Sequence, residues 1–151
     1  MTVDAVLEQD QQKILDEAFE ALGRSHVKPY ESAGESFTRQ GLTTLFALVV
    51  EAIRKRDLNA INGYAAELAD QRFTAGFGVG DVQVAFNALE ESMWGHLVAV
   101  VPADQLVEAI GLLSTVLGAG KDTLAREYVS LASRQHVTSL DLSTLFEGTS
   151  S

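Results

Sequence analysis

Three observations predict an all-α protein, a bundle of about five helices closed by one long C-terminal helix. Proline occurs only at positions 29 and 102, so the residue that breaks helix interiors is nearly absent. Alternation of β-branched and polar residues is scarce, while apolar residues recur at three- and four-residue spacing along most of the chain, the period of a helix and not of a strand. Near the end, Ile110, Leu117, Leu124 and Leu131 stand seven residues apart, which is the spacing of a heptad seam.

The first helix is expected over 4–22, with Leu7, Ile14, Ala18, Ala21 and Leu22 on one face and Gly23 just past its end, where glycine accepts the left-handed conformation. Its polar middle, 8–13, places the first two turns at the periphery. A connection with Pro29, Ser32 and Gly34 as breakers follows over 25–34, and a second helix runs over 35–56. Phe37, Leu42, Leu45, Phe46, Leu48, Val49, Val50 and Ile53 cover more than half its circumference, which makes it the central, most buried helix. Asp57 is an N-cap for the third helix, carrying Leu58, Ile61, Tyr64, Ala65, Leu68 and Phe73; a short acidic side chain accepts hydrogen bonds from the first turn's free N–H groups. Asp81 plays the same part for the fourth, with Val82, Phe86, Leu89, Met93, Leu97 and Val100 at helical spacing. Pro102 opens the fifth, where a missing N–H costs nothing. Residues 1–137 then form a single domain and 138–151, rich in Ser and Thr, a flexible tail.

Composition narrows the function. Hydrophobic residues make up 46% and charged residues 21%, a folded chain and not a disordered one. Acidic residues outnumber basic ones 21 to 11, for a net charge of −10, a field that repels phosphate backbones and anionic bilayers. Neither nucleic acid nor a membrane is expected as a partner. The basic run Arg54, Lys55 and Arg56 reads as a complement to a helix C-terminus. With no cysteine, disulfides and thiolate chemistry are excluded and a cytoplasmic location is expected.

No catalytic equipment is recognisable. His26, His96 and His136 stand alone, with no i, i+4 pair and no Glu-x-x-His, so helix-borne metal sites lack their ligands. The segment GFGVGD at 76–81 has G-x-G-x-G spacing between two helices, and reads as a turn and not as a dinucleotide loop, which follows a strand. Phe46, Tyr64, Phe86, Trp94 and His96 are candidates to line an internal pocket. No cofactor, metal or enzyme activity is expected; the alternative is a haem- or small-ligand-binding sensor using His96.

The fifth helix carries the functional expectation. Some 34 residues, 102–136, span about 50 Å at 1.5 Å per residue, longer than the remaining helices are expected to cover. A seam that outruns its own domain asks for a partner helix. Leu106, Ile110, Leu113, Leu117, Leu124, Tyr128 and Leu131 are the expected homodimer seam, with Gly118 and Gly120 permitting close approach. On that reading, Asp at 117 and 124 yields a folded monomer.

Across about residues 36–130 the order of features resembles the N-terminal sensor domains of RsbR-type stressosome co-antagonists. The likeness is carried by LTTLFALVVEAIRKRDLNAINGYAAELADQRFTAGFGVGDVQVAFNALEESMWGHL and the long helix after it. A helix ending in basic residues leads through an acidic junction, 54–57, into a helix that ends with an Arg and a Gly, 72–76. The apolar and acidic start of the next helix matches 79–82. The resemblance implies a dimeric, globin-like fold without haem, acting in sensing or protein interaction, with the last helix passing a signal to an output domain. Here only a short stretch follows residue 137, so a free-standing version with a separate signalling partner is expected.

Overall fold

The computed structural model describes the backbone of residues 1–150 and the side chains of residues 1–135. The tail expected over 138–151, and His136, lie outside the residues whose side chains are described. Among the described residues there are seven helices, not five, and no strand. Two corrections account for the difference. The first expected helix is two, α1 (Val3–Gln9) and α2 (Gln11–Arg24), with Asp10 between them at φ −115° and ψ 33°. The elbow turns α1 onto α4, while α2 lies along α6. One straight helix cannot serve both surfaces, and the polar run 8–13 marks the bend. The first turns are therefore not peripheral: Val6 and Leu7 are buried.

The second correction is α3 (Lys28–Ala33), inside the expected connection, with Pro29 in its first turn where proline is tolerated. Gly34 after it has φ 97°, a conformation that L side chains rarely adopt. Gly23 stays within α2, and the left-handed residue beyond that helix is His26 at φ 52°.

α4 (Glu35–Lys55) is the central helix, packed against each of the other six; Leu42, Phe46, Val49 and Ile53 are all buried. Its basic end does more than meet a dipole. Arg54 reaches Glu8 and, at 3.2 Å, Asp4, tying α1 to α4, and Arg56 lies 3.3 Å from Glu108 at the start of α7. α5 (Asn59–Thr74) has Leu58 and not Asp57 at its N-cap; Asp57 stands one residue earlier, and its Oδ1 accepts the Asn59 N–H at 2.9 Å. In α6 (Val79–Val100) Asp81 is not the cap but lies one turn in, its carboxylate accepting the Gly78 N–H at 2.8 Å.

α7 (Ala103–Ser150) packs chiefly on α5 and α6. Its covered stripe, Ala109, Leu113, Val116, Leu117, Leu124 and Tyr128, is about 29 Å long at 1.5 Å per residue, close to the ~33 Å of the 22-residue α6. The Tyr128 ring stacks edge-on to Phe73 at 5.7 Å, and its hydroxyl donates to the Phe77 carbonyl at 3.0 Å. That bond pins α7 to the α5–α6 turn. Burial raises the Tyr128 phenol to about 12, so the folded state favours the neutral ring. The stability this gives is complete below the ordinary tyrosine value near 10 and is lost as pH rises from there towards 12. Tyr128→Phe leaves the carbonyl without its donor and is expected to cost about 1–2 kcal/mol. In urea titrations the variant should also show a shallower alkaline loss than the wild type between pH 9.5 and pH 11.

Candidate functional site

Two features outlast the packing of the core: the outward face of α7 and an internal cavity built around Arg72. The expected seam divides between the inside and the outside of the subunit. Leu113, Leu117 and Leu124 are fully covered, and Tyr128 is 7% exposed, within their own chain. Leu106, Ile110 and Leu131 are half-buried. The two glycines separate as well. A Cβ on Gly120 would stand 3.2 Å from Phe86 Cε2 and 3.4 Å from Ile61 Cγ1, so this glycine lets α5 and α6 approach α7. Gly118 faces solvent with nothing within 4 Å.

The premise that α7 outruns its own domain is thus corrected over 109–128, where α5 and α6 supply the facing surface. What remains unpartnered is the opposite face. Val107 is 84% exposed and Val129 66%. Gly111, Gly118, Ala125 and Ala132 lie between and beyond them, seven residues apart. This second heptad of small residues was legible in the sequence, but the larger side chains of the first one masked it.

Of the five pocket candidates, Tyr64 and Phe86 line a common cavity. Phe46 is buried core and does not line it, and Trp94 is 45% exposed on the outer side of α6. His96 is buried at the α1–α2 elbow, its Nε2 3.0 Å from Asp10 Oδ2, an ion-pair approach without hydrogen-bond alignment, so Nε2 has no hydrogen-bond partner. It does not line the cavity that Tyr64 and Phe86 share. That cavity, about 20 Å³, has room for one water-sized occupant and none for a porphyrin.

The residue that dominates the cavity is Arg72, which sequence reasoning noticed only as the end of a helix. It continues the buried stripe Ile61, Ala65, Leu68 of α5, an arginine where the period calls for an apolar side chain; that was the available signal. Only 9% of it is exposed. Its guanidinium carbon lies 4.4 Å from the Phe37 ring centroid and 5.4 Å from that of Phe77. Tyr30 packs edge-on to Phe77 at 5.0 Å. Burial raises the Tyr30 phenol, against the pull of a hydrogen bond from Arg72. Burial raises the Tyr64 phenol too, and the Arg72 charge again opposes it.

Among the described residues no group of three or more His, Asp or Glu side chains is placed to hold a metal ion. No helix of the described residues is long and apolar enough to cross a membrane. Compared with known protein families, the chain matches the RsbT co-antagonist protein rsbRD N-terminal domain over residues 5–139. No curated protein and no solved structure matches it.

Proposed function

We propose that this chain, which belongs to the family of RsbT co-antagonist N-terminal domains, is a regulatory module that works by protein contact and not by catalysis. The family is named for a co-antagonist of RsbT, a role played by binding, and a signalling protein is therefore the partner we assign. The globin-like, haem-free fold and a cytoplasmic location belong to the same reading, as does a single domain over 1–137, whereas the tail expected over 138–151 gives way to the helical backbone of α7, which runs to Ser150.

The observation that carries the proposal is the bare face of α7. Exposed valines at 107 and 129 bracket a row of small residues at heptad spacing. Single exposed apolar residues are ordinary on protein surfaces, whereas a heptad row of small side chains lets two helix backbones come close. A second copy supplies the complementary face by two-fold symmetry, so we assign a homodimer along this face. The half-buried Leu106, Ile110 and Leu131 continue the inward stripe, seven residues from Leu113, Leu117 and Leu124, and lie outside this contact, while Gly118 keeps the role first expected of both glycines.

Size-exclusion chromatography with light scattering tests this. The expected result is a dimer at micromolar concentration, and a folded monomer when Gly118→Arg and Val129→Asp are combined. Both positions face solvent in the subunit, so the double variant keeps its helical circular dichroism. A wild type that runs as a monomer at 50 μM overturns the dimer.

A further inference from the structure

We infer that the Arg72 cavity is a binding site for a single small monovalent anion of halide size. The geometry begins with an imbalance. A guanidinium that is nine-tenths buried normally meets a carboxylate, because an uncompensated buried charge is costly. Arg72 makes no ion pair with any described carboxylate, although the chain carries 21 acidic residues. Its compensation is two ring faces, and its Nε is buried without a hydrogen-bond partner.

The cavity beside it is lined by Arg72 and by the hydroxyls of Tyr30, Tyr64 and Thr38, with no carboxylate among its walls. The Tyr30 and Tyr64 hydroxyls each carry a proton that can be given to an occupant. Thr38 is already committed, its hydroxyl donating to the Gly34 carbonyl at 2.9 Å. Leu42, Leu45, Leu68 and Phe86 make up apolar wall. A lone water in such a place can bond to those hydroxyls but leaves the guanidinium charge uncompensated. An anion takes the donors and neutralises the guanidinium at once. The volume of about 20 Å³ limits the occupant to something near the size of a water molecule, which admits chloride or bromide and excludes phosphate, sulfate and larger carboxylates.

The site is independent of the α7 face: Arg72 sits where α4, α5 and the α5–α6 turn converge, and dimer and monomer alike present it.

The test uses the full chain with sodium chloride or bromide as probe, against sodium gluconate at equal ionic strength. Chloride and bromide are expected to raise the melting temperature saturably where gluconate does not, since a ligand that binds only the native state stabilises it by mass action. In crystals grown in bromide, an anomalous peak is expected within hydrogen-bond reach of Arg72 Nε. Tyr30→Phe keeps the ring and loses the phenolic donor, and should weaken the halide midpoint about fivefold. Arg72→Gln should abolish the halide effect if it folds. Equal melting temperatures in halide and gluconate, no bromide peak, or an unchanged midpoint in Tyr30→Phe each overturn the site.

Discussion

Leu117→Asp is expected to unfold the chain and not to release a folded monomer. Leu117 has no exposed surface in the subunit, so the substitution removes a buried side chain and puts a carboxylate in its place. Loss of a buried Leu costs roughly 2–5 kcal/mol, and an unpaired carboxyl in the core adds several more or forces protonation. Against the ~5–15 kcal/mol that holds a typical domain together, the sum leaves little or nothing. Leu124, equally buried, behaves the same way. Circular dichroism at 25 °C reads the outcome: loss of helical signal or of a cooperative thermal transition is expected. A well-folded Leu117→Asp monomer would return the seam to the subunit interface and remove the reason for assigning contact to the opposite face.

Gly120→Leu should be nearly as damaging, and Gly118→Ala mildly stabilising, although the two glycines stand two residues apart. At 120 even a methyl group meets Phe86 at 3.2 Å and Ile61 at 3.4 Å. The remaining atoms of a leucine force α7 away from α5 and α6, for about 3 kcal/mol by the usual cost of overpacking. At 118 a methyl group meets nothing within 4 Å of the subunit and recovers about 0.8–1 kcal/mol of helix propensity. Urea midpoints measure both. Equal and opposite-to-expected shifts at the two positions would mean that α7 is rotated about its axis from the placement described here.

How much of this was legible depends on which interactions are local. The helical period of α4, the acidic approach to α5 at Asp57 and the glycine turn at 76–78 follow from neighbours within a few residues. The elbow at Asp10 does not. Nothing between 8 and 13 forbids a continuous helix, and the bend lets α1 favour α4 while α2 packs chiefly on α6. Tyr64 and Phe86 were legible as inward-facing residues, while Trp94 was misplaced because an aromatic on an apolar helix carries no mark of which side meets solvent. Arg72 was visible as a break in an apolar stripe, but its meaning needed Phe37 and Phe77, which lie 35 residues before and five after it in the chain.

The chain's own residues determined that it is helical, that α4 lies at its centre and that α7 carries a long apolar stripe, because periodicity and the scarcity of proline act within single helices. Only the tertiary structure decided what that stripe touches. An amphipathic face specifies that something apolar must cover it and is silent on whether the cover is a neighbouring helix or a second copy, since burial gains the same free energy from either. Here α5 and α6 reach it first, and the face left over for a partner is the one whose side chains are smallest.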